Sequence, residues 1–139
     1  MSLSSLLNSA RHLLLIDGAS GLVMGLELIV FGDFLARHTG LPAGLLFSAG
    51  ALLLPIALYM IWAGLGRPVA PVHLGIIIAG NGLWVLASLG LPVFLALTPL
   101  GVALVLGQAV FVALMAALEL RVLRDLPAAR SGMAVVAKP

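Results

Sequence analysis

The chain has 139 residues and no cysteine. That excludes disulfide bonds, thiolate metal sites and any chemistry run through paired thiols. Charge is almost as scarce. Asp, Glu, Lys and Arg make up 9% of the residues, against roughly 25% in an average soluble domain. A soluble domain of this length needs a polar surface that such a composition cannot cover. No nucleophile elbow, phosphate loop or zincin pattern is present, so enzyme activity has no positive support. The glycines of "AGNGLW" (79–84) lie inside an apolar run with no strand before them, which suits helix packing and not a nucleotide loop. The N-terminus lacks the charged start of a secretory signal, so the first apolar segment reads as a retained span.

What is present is apolar. Hydrophobic residues make up 63% of the chain, and its mean hydropathy is +1.25. Runs of about 20 such residues cross a bilayer as helices. Four are legible, at about 12–35, 43–65, 72–91 and 98–123. They are separated by "HTGLP" (38–42), "GLGRPVAP" (64–71) and "LPVFLALTP" (91–99), which carry turn residues. The expected architecture is all-α: one polytopic four-helix transmembrane bundle over 1–124, with 125–139 an irregular tail. The seven basic residues are too dispersed to form a nucleic-acid surface. They report topology instead: Arg11, Arg67, Arg121, Arg124, Arg130 and Lys138 fall on one side and Arg37 on the other. The positive-inside bias then puts both termini in the cytoplasm.

Polar residues share faces. At about 100° per residue, Asp17, Glu27, Gly21 and Gly25 take the same half of the first span. Gly21 and Gly25 form a small-xxx-small step for close helix approach. The third span lines up His73, Gly80, Asn81, Trp84 and Ser88. The fourth lines up Gly101, Gln108, Val112, Met115 and Glu119. The second lines up Ser48, Ala51, Pro55, Tyr59 and Trp62, with a kink expected at Pro55 because it frees the carbonyl of Ala51.

Depth along the spans divides these residues into two groups. Glu27, Asn81 and Gln108 are expected to meet near mid-membrane, with Asp17 as a further candidate. They form either a proton, cation or polar-ligand site or a hydrogen-bonded joint between helices. Asp17, Tyr59, His73 and Glu119 are expected nearer the cytoplasmic side, with His12. Two histidines and two carboxylates are metal-ligand types, but no pair has i, i+4 spacing, so no metal is expected. The histidines all lie near interfaces, so no haem or other cofactor is expected either. Gly21, Gly25 and Gly80 are expected to pack helices.

"RHLLLIDGASGLVMGLEL" (11–28), "NGLWVLAS" (81–88) and "GQAVFVALMAALELR" (107–121) together resemble small four-helix proteins of the bacterial inner membrane that have no assigned activity. The resemblance implies the inner membrane as location and the lipid bilayer as surroundings, and brings no catalytic residues. The small multidrug resistance family also has four short helices and a glutamate in the first. Its surrounding motifs are missing here and the charge bias is too strong. Two functions remain open. One is a non-catalytic accessory, scaffold or self-associating bundle, a homo-oligomer or a subunit of a larger membrane complex. The other is a small proton- or cation-coupled transporter using Glu27.

Overall fold

The computed structural model describes residues 2–66 and 69–136, with side chains as far as Leu126. The described residues form five helices and no strands: α1 (Leu3–Val30), α2 (Gly32–Thr39), α3 (Ala43–Leu65), α4 (Pro71–Phe94) and α5 (Pro99–Val136). Four are long and apolar enough to cross a membrane: α1, α3, α4 and α5 over Pro99–Leu126. Large apolar side chains such as Val93, Leu83, Leu86 and Val30 project outward, where lipid is their natural solvent. The protein is an all-α, multipass four-helix bundle.

Three boundaries differ from the sequence expectation. The first helix starts at Leu3, not His12, because Ser2 caps it: the Ser2 hydroxyl accepts from the Ser5 N–H at 3.2 Å. Leu6, Ala10 and Leu14 then recur at helical spacing and are buried. That helix also ends sooner. The chain bends at Phe31 (φ −106°, ψ 12°) and resumes as α2, which stops at Gly40 in the left-handed region (φ 77°). Glycine takes that conformation without the Cβ penalty. Finally, α5 continues to Val136, so residues 125–136 extend a helix where an irregular tail was expected. Residues 118–124, "LELRVLR", are rich in good helix formers, and the helix runs on through Pro127. Arg67 and Lys138, both used in the charge count, lie outside the described residues, and of Arg130 only the helical backbone is described.

Lipid tails are as apolar as leucine, so helices in a bilayer join through close packing and hydrogen bonds. Helices α1 and α3 do so antiparallel through small residues. A Cβ on Gly18 would lie 2.8 Å from Ile61 Cγ1, and one on Gly25 would lie 2.9 Å from Leu54 Cδ2. Gly50, Ala57 and Gly64, spaced by seven, answer from α3. This corrects the expected inner face of the second span. Ser48, Ala51, Pro55 and Trp62 are exposed, and the buried set is Leu46, Gly50, Ala57, Met60, Ala63 and Gly64. Small size governs that interface, and polarity does not.

Helices α4 and α5 form the second antiparallel pair, and α1 packs on α5 to join the pairs. Helices α3 and α4 barely touch, which leaves that side of the bundle open. One apolar cluster holds the end where α1 begins, built on Leu6, Leu14, Leu74 and Leu126. Another holds the far end around Leu41, Leu46 and Val105. There the α4–α5 turn is tied to the end of α2. The Thr98 hydroxyl donates to the His38 carbonyl at 2.7 Å, and the Thr98 N–H donates to the Thr39 carbonyl at 3.0 Å. A Cβ on Gly101 would collide with that Thr39 carbonyl.

Candidate functional site

Asp17 is the fifteenth of the 28 residues of α1, and Asn81 lies near the middle of α4. Each therefore sits midway along its helix, and they meet in the bundle interior. The Asn81 amide nitrogen donates to Asp17 Oδ2 at 2.7 Å and to Glu119 Oε2 of α5 at 3.4 Å. An amide group has two such protons, so one asparagine bridges two carboxyls from two other helices. All three residues are buried: Asp17 is 4% exposed, Asn81 6% and Glu119 0%. The other carboxyl oxygen of Glu119, Oε1, is buried with no hydrogen-bond partner. No Lys, Arg or His among the described residues forms an ion pair with either acid.

A second polar layer lies further along α4. The Trp84 indole N–H donates to Gln108 Oε1 at 2.7 Å, and Gln108 Nε2 donates to the Ser88 hydroxyl at 2.7 Å. Ser88 in turn donates to the Trp84 carbonyl. This network closes on itself and fastens α4 to α5. Toward the other end, Tyr59 and His73 share a hydrogen bond of 2.7 Å between the phenol and Nδ1. Trp62 stacks beside Tyr59, with ring centroids 5.9 Å apart.

The expected groupings are therefore rearranged. Asn81 and Gln108 do not share a site with Glu27, which is exposed. The physical reason is angular. The buried stripe of α1 runs through Leu6, Ala10, Leu14, Asp17, Gly18 and Gly25, and Glu27 lies about 120° from its centre at about 100° per residue. Asp17 and Glu119, assigned to the cytoplasmic-side cluster with Tyr59 and His73, leave it and join Asn81. Tyr59 and His73 remain together. Among the described residues no three of His, Asp and Glu approach closely enough to hold a metal ion.

Of the glycines expected to pack helices, Gly25 does so tightly and Gly21 makes an ordinary contact, its Cβ position 3.4 Å from Ala57 Cβ. Gly80 does not: a Cβ there would meet nothing within 4 Å. It lines a cavity of about 390 Å³ bounded by α1, α3, α4 and α5. Asp17 and Asn81 form part of its wall, together with Pro55, Tyr59, Trp84 and Phe111. Helix α3 runs unbroken through Pro55, which stands on the cavity wall. A space between helices leaves no mark on a hydropathy pattern, so the sequence carries no sign of this cavity.

Comparison with protein-family models, with curated proteins and with solved structures finds no match.

Proposed function

We propose that this multipass membrane protein takes up a proton or a small cation at Asp17 and Glu119, as the titrating centre of a small coupled carrier. The observation that supports this is Glu119, fully buried, with Oε1 unpartnered and Oε2 sharing Asn81 with a second acid. Two uncompensated carboxylates would each cost several kcal/mol after relaxation. A hydrogen bond inside a membrane protein returns only about 0.6 to 2 kcal/mol, so joining helices does not offset that cost. One proton or one cation on the pair lowers that cost by removing one of the two negative charges. The exposed Glu27 has no part in this centre.

Infrared spectroscopy of the reconstituted protein during a pH titration is the test. The wild type should show a protonated-carboxyl band that disappears as pH rises. Asp17→Asn and Glu119→Gln should each alter that band. A double variant with the wild-type titration would overturn the proposal.

A second reading, an accessory or self-associating bundle, draws on α4. Gly75 and Gly82 are spaced by seven, and a Cβ on either would meet nothing within 4 Å. Such a stripe admits another helix closely, from a second copy or from another subunit of a membrane complex. Native mass spectrometry of the particle in mild detergent separates the two. A stoichiometric foreign subunit favours the accessory role. For location, the six-to-one distribution of basic residues supports cytoplasmic termini, and the sequence resemblance supports a bacterial inner membrane.

A further inference from the structure

The cavity beside Asp17 has a mouth. Helices α1 and α5 close its back, while α3 and α4 meet little in front, where the Tyr59–His73 hydrogen bond joins them toward one end. The edges of that gap are exposed on both sides, at Pro55 on α3 and at Ile76 and Gly80 on α4. In a bilayer this gap faces hydrocarbon at the depth where Asp17 and Asn81 lie. Its volume, about 390 Å³, falls in the range of small-ligand pockets, roughly 300–1,000 Å³.

The chemistry of the walls selects the occupant. They are almost wholly apolar, and Asp17 is the single ionisable acid among their described residues. Asn81 stands next to it, and its amide hydrogen bonds go to the two carboxyls. Trp84, Tyr59 and Phe111 bring three aromatic rings to the same space. A carboxyl group at the base and aromatic faces around it recognise a positive charge. Apolar walls opening to lipid recognise a hydrocarbon body. We infer that the α3–α4 cleft admits a lipophilic monoamine from the bilayer and seats its ammonium head on Asp17. The inference deepens the reading of Asp17 as a cation or proton site and rests on it.

Gly80 is the residue that keeps the space. A Cβ there would meet nothing within 4 Å, and Gly80 lines the cleft, so Gly80→Leu should narrow the cleft while sparing the fold. Trp84 supplies a reporter. The chain has two tryptophans, and the other, Trp62, is 62% exposed. In a Trp62→Phe background, Trp84 fluorescence reads the cleft alone.

The test uses this protein in discs of uncharged phosphatidylcholine, with a nitroxide-bearing alkylamine as quencher and the alcohol of equal chain length as control. The amine should quench Trp84 saturably, at a concentration at least tenfold below that needed for the alcohol. Asp17→Asn should weaken the amine at least tenfold and leave the alcohol unchanged. Gly80→Leu should remove the saturable phase, with its thermal unfolding confirming an intact fold. Equal quenching by amine and alcohol would overturn the inference, as would amine quenching indifferent to both substitutions. The amine-free infrared titration keeps the two proposals apart. A wild type that titrates but shows no saturable amine phase loses only the cleft ligand. A wild type that binds amine through Asp17 but shows no carboxyl titration loses only the proton.

Discussion

Gly50 of α3 approaches Gly25 of α1 so closely that a Cβ on Gly50 would lie 2.7 Å from the Gly25 carbonyl oxygen. The contact is with backbone, which has little freedom to retreat. Gly50→Ala should therefore lower stability by about 1–3 kcal/mol, the usual range for overpacking a tight contact. Gly75→Ala is its control, since the added methyl meets nothing and removes a helix-weakening glycine. Thermal unfolding in detergent should show Gly50→Ala melting lower than wild type and Gly75→Ala melting no lower.

Asn81 is the bridge between α1 and α5. Asn81→Leu removes both of its donors and leaves Asp17 Oδ2 and Glu119 Oε2 without the partner they share. Stranding buried acceptors costs about 1–3 kcal/mol. Combining Asn81→Leu with Asp17→Leu should lose less than the sum of the single changes, because the stranded carboxyl of Asp17 has gone. A double-mutant cycle by unfolding in detergent measures that difference. Strict additivity would mean that the bridge contributes nothing to the fold.

Glu27→Gln is expected to do little. Glu27 is exposed, in the last turn of α1 before Val30, and its side chain takes part in no hydrogen bond among the described residues. Exposed positions of this kind usually change stability by less than about 0.5 kcal/mol. Thermal unfolding should match the wild type, and the protonated-carboxyl band assigned to Asp17 and Glu119 should persist. Loss of that band would return the centre to Glu27.

Gln108→Leu should release the indole of Trp84. Gln108 accepts from Trp84 and donates to Ser88, and leucine can do neither. The expected loss is about 1–2 kcal/mol for the two membrane hydrogen bonds. Trp84 emission should shift and broaden, read in a Trp62→Phe background. Unchanged emission would show that the indole is held by packing alone.

Much of the fold was legible in the sequence because hydropathy and turn residues report on single segments. Four apolar runs, two of them punctuated by Gly40 and Pro71, required no knowledge of partners. The site was legible only in pieces. Asp17, Asn81 and Glu119 all stood out as polar residues in apolar helices, yet they were assigned to two layers. The error traces to Ser2. With the helix taken to begin at His12, Asp17 lay near its end; capped at Ser2, the helix puts Asp17 at its middle, level with Asn81. Glu27 fell outside because half a helix is too broad a description of a buried face. Leu14, Gly18 and Gly25 define a narrower stripe, and small residues, not acids, set its centre.

The gap between α3 and α4 also bears on how the chain assembles. These two helices are neighbours in sequence but barely in space, so the bundle divides into two hairpins, α1–α3 and α4–α5. Each hairpin is internally packed, and they meet mainly along α1 and α5, where Asn81 reaches across to Asp17. In the link between Leu65 and Pro71, Val69 is buried in the apolar cluster at that end. Two polypeptides cut there and inserted separately would each carry a complete hairpin, and the polar bridge would tell one half where to find the other.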